Sequence, residues 1–279
     1  MDQLAFLAAL ASAITYAAWN AAARARPDPG DGFAVVVVAA GLLAVPLLAW
    51  SGLPDHRAWP WIAGGLVFNL ISMRTMMATY RRTPFSVGFP IARGLTPPLV
   101  ALAAMVATGE HVSVPAIAGI ALVSVALVVL GLHSLRRQKA APAGLALAAL
   151  SSLFAAGYVF MDAQGARISG SVLAYAATLA ILNAVALGVL GALEGRSPVR
   201  FTAADWRFGL LTAIVSMTSY VLLLYAFTRG PIGPLSALRE TSVLFATAFA
   251  AWLLRERVGP VEWLSAAAAV AGIILLRTS

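Results

Sequence analysis

Long uncharged apolar runs, separated by short polar links, dominate this chain. Residues 33–51, 112–132, 171–193 and 208–228 contain no Asp, Glu, Lys or Arg. A helix needs about 20 such residues to cross roughly 30 Å of hydrocarbon. The period-two alternation of a β-barrel, in segments of about 10 residues, is absent. The pattern predicts ten helical spans, at approximately 4–23, 33–51, 59–80, 84–107, 113–133, 143–163, 171–193, 207–228, 231–254 and 259–276. Turn residues separate them, as in Arg26-Pro-Asp-Pro-Gly-Asp-Gly32 and Ser51-Gly-Leu-Pro54. Several links are only a few residues long, so neighbouring helices are expected to run antiparallel. Residues 1–23 read as the first span rather than a signal peptide. Their start, Met-Asp-Gln, has no basic residue, and the core carries Thr15, Tyr16, Trp19 and Asn20.

Two stretches of this pattern repeat. Arg82-Thr-Pro84, Arg93 and Glu110-His-Val112 are echoed by Arg229-Gly-Pro231, Arg239 and Glu256-Arg-Val258. The offset is 146 residues for the inner arginines and the closing Glu and Val, but 147 for the prolines. Leu7-Ala-Ala-Leu10 with Ser12 likewise matches Leu147-Ala-Ala-Leu150 with Ser152, and Trp59 and Trp206 each open the third span of a half. The basic stretch 135–142 divides the chain into residues 1–134 and 143–279, five spans each. Five is odd, so the second half enters the membrane from the opposite side. The expected fold is therefore an all-α polytopic membrane protein, with two inverted five-helix repeats around a central cavity.

Composition agrees. Of 279 residues 61% are apolar and 11% charged, and the mean hydropathy is +0.88; a soluble domain carries about 25% charged residues. The net charge of +8 lies almost wholly between the spans. It is read as loop charge that orients helices and meets anionic lipid headgroups, with no basic domain for nucleic acid. No cysteine is present, so disulfide and thiol chemistry are excluded. The end of the bundle that carries both termini holds only Arg57, Arg167, Arg229 and Arg277 among basic residues, so charge bias alone puts that end outside the cell.

Four charges fall within spans: Arg74, Arg93, Arg239 and Glu240. Each costs at least about 2.5–3.5 kcal/mol in hydrocarbon unless it is paired or faces a wet cavity. Arg93 lies nine residues past Pro84 and Arg239 eight past Pro231, near the midplane. Two readings stay open. The guanidinium groups grip an anionic solute such as a carboxylate, or Arg93 or Arg74 forms an internal ion pair with Glu240. Trp19, Tyr158 and Tyr220 lie deep enough to face a cavity, and Asn20, Asn69 and Asn183 are expected to face the bundle. Pro90, Pro97, Pro98, Pro231 and Pro234 mark possible kinks. Gly191 and Gly195 have the spacing of a close helix contact. No nucleotide-binding loop, His-Glu-x-x-His site or nucleophile turn occurs. Thus no cofactor, metal or catalytic group is expected, and the chain reads as a carrier rather than an enzyme.

The ten spans, the five-plus-five duplication and the segment 237–258 together resemble the drug/metabolite transporter superfamily, and its EamA-type exporters in particular. The repeated ending, an acidic residue followed by a Gly-containing last span, supports that likeness at Glu110 to Gly131 and Glu256 to Gly272. So does Tyr158-Val-Phe-Met-Asp162-Ala-Gln-Gly165-Ala-Arg167. The resemblance implies a bacterial inner-membrane carrier acting as a monomer, in which two halves alternate access to a central cavity. It implies export of amino acids or related metabolites, as by exporters of the YddG kind, and both termini inside the cell, against the charge bias. The implied substrate-binding residues are Trp19, Asn69, Tyr80, Arg93, Tyr158, Tyr220, Arg239 and Glu240. The first span lacks the acid of the small drug exporters in the superfamily, for which only Glu240 or Asp162 can substitute. The alternatives are a carrier of drugs or nucleotide sugars and a non-transporting structural or sensory subunit.

Overall fold

A computed structural model describes residues 2–24, 26, 29–138, 141–195, 201–243, 245 and 259–278. The helices are α1 (Gln3–Arg24), α2 (Pro29–Ser51), α3 (Trp59–Tyr80), α4 (Phe85–Thr108), α5 (Val114–Arg137), α6 (Pro142–Ile168), α7 (Val172–Leu193), α8 (Ala203–Arg229), α9 (Ile232–Glu240) and α10 (Pro260–Arg277). Among the described residues, nine helices are long and apolar enough to cross a membrane, and no strand occurs. The remainder of the expected ninth span, with Glu256 and Val258, lies outside the described residues, as does part of the basic link 135–142.

Local chemistry sets the helix ends. Ser113 and Ser171 cap α5 and α7 by accepting from Ala116 N and Ala174 N. Thr202 and Asp205 form a reciprocal capping box at α8. Proline occupies the first turn of α3, α5, α6 and α10, where no helical bond is lost. Pro231 caps α9 and Pro234 lies in its first turn, so neither kinks a helix interior. Pro90, Pro97 and Pro98 do lie inside α4. The last two withhold amides from the carbonyls of Arg93 and Gly94, four residues back.

The bundle reverses the size order of a soluble core. Ala5, Ala9, Ala13 and Ala17 of α1 are buried, while Leu4, Leu7 and Ile14 face outward. Leu102, Met105 and Val106 of α4 and Val185 and Val189 of α7 also face outward. Lipid solvates large apolar side chains as well as a core does, so small residues win the helix interfaces, where close approach gains dispersion contact. Gly119 of α5 and Gly272 of α10 show this directly. A Cβ on either would lie within about 3 Å of the other's carbonyl oxygen. Gly191 and Gly195, in contrast, face open space: among the described residues nothing lies within 4 Å of a Cβ built on either.

Packing pairs exchange when the two sets of five helices are swapped. α1 lies on α8 and α6 on α3; α4 crosses α6 and α9 crosses α1; α2 lies on α7, α4 on α9 and α5 on α10. The first two pairs are fastened the same way. Ser12 Oγ donates to the Ser219 carbonyl at 2.7 Å and Ser219 Oγ to the Ser12 carbonyl at 2.8 Å. Ser72 and Ser151 make the same reciprocal bonds, both at 3.1 Å. This fixes the register: Ser151, not Ser152, is the counterpart of Ser12, because Ser152 bonds back to Ala149 of its own helix.

Interhelical bonds of this kind contribute on the order of 1 kcal/mol in a membrane. Ser219→Ala should lower stability by about that much. Ser219→Leu, which forces α1 and α8 apart, should cost several-fold more, as measured by unfolding of the detergent-solubilised protein.

Candidate functional site

A charged cluster occupies the interior where α1, α4 and α9 meet. The N-caps set its geometry. Pro84 caps α4 and Pro231 caps α9, so position nine of each helix is Arg93 and Glu240. Glu240, not Arg239, is therefore the positional counterpart of Arg93, and the sequence's matched arginines are out of step by one residue. The two counterparts meet as an ion pair, Arg93 Nη1 to Glu240 Oε1, at 3.3 Å. Glu240 is 2% exposed. The internal-pair reading thus holds for Arg93. Arg74 is engaged elsewhere, with Glu194.

Tyr16 completes this pair. Its hydroxyl accepts from Arg93 Nη2, and its ring lies 5.4 Å from the Arg93 guanidinium carbon. The Arg93 group also sits 5.2 Å from the Phe89 ring. Adjacent helical residues point about 100° apart, so Arg239 projects away from the Arg93–Glu240 contact. Its guanidinium carbon lies 4.6 Å from the Tyr16 ring centroid. The residue is 9% exposed, and its Nε has no hydrogen-bond partner. Among the described residues, no carboxylate lies within ion-pair distance of Arg239. Cation–π contact with one tyrosine is worth about 1–2 kcal/mol, less than the cost of a lone charge in the membrane interior.

A second cluster adjoins the first. Asp162 of α6, 6% exposed, accepts from Tyr220 of α8 at 2.7 Å and from Tyr175 of α7 at 3.3 Å. Tyr158, one helical turn earlier on α6, lies within electrostatic reach of both Arg93 and Arg239.

The residues singled out in the sequence separate into groups. Arg93, Arg239, Glu240, Tyr158 and Tyr220 come together in these two clusters. Trp19 packs edge-on against Tyr16 at 5.4 Å and against Phe33 at 5.7 Å, flanking the site toward α2. Tyr80 is partly exposed near the end of α3 and joins through Phe85 to Phe89, beneath Arg93. Asn69 instead donates to Asn183 at 3.0 Å, tying α3 to α7. Sequence reasoning missed Tyr16 and Tyr175. Tyr16 sits three residues before Trp19 on the same span, and that spacing was its one signal. The Glu110–Arg167 pair was also missed. Glu110 accepts from Arg167 at 3.1 Å and from Ile232 N, while Arg167 donates to the Phe227 and Gly230 carbonyls. This pair joins the end of α4 to the α8–α9 turn.

Removing one member of a buried ion pair strands the other, at about 3–5 kcal/mol, whereas replacing both with apolar groups is near neutral. Glu240→Leu alone should therefore destabilise strongly. Arg93→Met with Glu240→Leu should recover most of the loss in thermal unfolding; a double variant no better than the single one would contradict this account.

Comparison with known proteins bears on the fold and on the second half of the chain. No curated protein matches the sequence. Among solved structures 29 chains match. One, titled only as a crystal structure of a protein, covers 98% of this chain and 94% of its own, with TM-score 0.76 at 19% identity. At that identity the likeness is one of fold. The sequence pattern of the EamA-like transporter family matches residues 142–278. The chain is thus, by its long apolar helices, a multi-pass membrane protein, and its second half, α6 to α10, is similar to the EamA-like transporter family.

Proposed function

We propose that the chain is a secondary carrier that exports small polar metabolites bearing a carboxylate, amino acids foremost, across a bacterial inner membrane. Its two sets of five helices rock about the central cluster and expose it to either side in turn. The protein acts as a monomer. Arg239 holds the carboxylate, while Tyr16, Tyr158, Tyr220 and Trp19 surround the rest of the solute and Tyr80 lines the approach. Arg93 and Glu240 hold α4 and α9 together beside it, and Asn69 braces α3 on α7.

The observation that carries this reading is the difference between the two buried arginines. Arg93 has a carboxylate and a phenol. Arg239 is equally interior and, among the described residues, has no carboxylate at ion-pair distance, only the face of the Tyr16 ring. A desolvated guanidinium without an anion is a poor structural element and a good receptor, because a carboxylate supplies both countercharge and bidentate hydrogen bonds. The family match over residues 142–278 supports transport as the activity.

Protein reconstituted in liposomes should move labelled neutral amino acids. Arg239→Ala should lower the rate at least a hundredfold with little loss of thermal stability, because no internal partner is stranded. Wild-type rates from that variant would refute the role given to Arg239.

A further inference from the structure

Asp162 is a second interior charge without a countercharge. It is 6% exposed, and both its hydrogen-bond donors, Tyr220 and Tyr175, are neutral phenols. Among the described residues, no Arg, Lys or His lies within ion-pair distance of it. The groups that face it are Tyr175 from α7, Tyr220 from α8 and, within electrostatic reach but out of contact, Arg239 from α9. From α3 the Gly65 backbone approaches, where a Cβ would stand 2.5 Å from Asp162 Oδ1. Tyr220, which donates to Asp162, is also within electrostatic reach of Arg239.

We propose that Asp162 and Arg239 form one dipolar site for an α-amino acid, with the ammonium on the Asp162 carboxylate and the carboxylate on the Arg239 guanidinium. This rests on the proposed role of Arg239 and adds the other half of the ligand. The argument is one of charge balance. A simple anion neutralises Arg239 and leaves Asp162 bare, and a simple cation does the reverse. A zwitterion relieves both at once and leaves the membrane interior no more charged than before. Carboxylate oxygens take up to four donors, so the two phenols leave room for an ammonium. They also orient the carboxylate without cancelling its charge.

The test compares L-leucine with 4-methylpentanoate, the same molecule without its amino group, by calorimetry and thermal shift on the full chain in detergent. Wild type should prefer leucine by at least about tenfold, the worth of one charge-assisted hydrogen bond. Asp162→Asn keeps the shape and one acceptor for the tyrosines. It should lose that preference while binding 4-methylpentanoate as wild type does. Equal binding of both ligands by wild type would overturn the ammonium site and leave the carboxylate role of Arg239 standing. Binding of neither would overturn both. A loss of both ligands in a folded Asp162→Asn protein would make Asp162 structural and overturn the site. The wild-type comparison decides the matter even where the variant does not fold.

Discussion

Hydrocarbon does not tolerate a lone charge, and that constraint organises this protein from the inside. Among the described residues, the two central clusters hold two guanidinium groups and two carboxylates. They combine into one tight pair, Arg93 with Glu240, and one loose pair, Arg239 and Asp162, that does not close. The tight pair spends its electrostatics on holding α4 to α9. The loose pair is left with neutral tyrosines, which satisfy hydrogen bonds but cancel no charge. Because the sum of the four charges is balanced, the bundle avoids a net charge in the membrane. The balance is reached by direct contact in one pair and only at a distance in the other, and the proposed function rests on that difference.

Around this centre the helices are held by short side chains and close backbone approach. The reciprocal serine pairs at α1–α8 and α3–α6 use side chains that also bond to backbone. The Gly119–Gly272 contact has no side chain to interdigitate. Each contributes little, so the packing energy is spread over broad, shallow interfaces of alanine and glycine. The charged contact between Glu110 and Arg167 has a different character. It satisfies the start of α9 and the end of α8 together, and it ties the link after α4 to helices of the second half at one end of the bundle.

The membrane class, nine of the ten expected spans and the duplication were legible among the described residues, because spanning length and hydropathy are local properties. Boundaries were less so, for a physical reason. The sixth span was expected to end at 163, but α6 runs to Ile168. The charged Asp162 and Arg167 look like an exit from the membrane until their tertiary partners, Tyr220, Tyr175 and Glu110, are known. The site was half legible. A charge in an apolar run announces itself, so Arg93, Arg239 and Glu240 stood out. Which arginine was paired did not. It depends on one residue of helical phase, fixed by the caps Pro84 and Pro231 rather than by the repeated arginines. Asn69 was expected in the central site, and its amide bonds to Asn183, because one amide satisfies another.

The same register shows where the symmetry is broken. Carrying the serine pairing along α1 and α6 aligns Asp162 with Ala23, and carrying the cap register along α4 and α9 aligns Arg239 with Ala92. Both loose charges therefore belong to the last five helices, and their counterparts in the first five are methyl groups. The tight pair, in contrast, takes one charge from each set. A ligand bridging Arg239 and Asp162 would stay with one half throughout a rocking motion, while Arg93 and Tyr16 of the other half pass across its face. In the proposed rocking motion the contact that must adjust is then Arg93 with Glu240, because it takes one charge from each set.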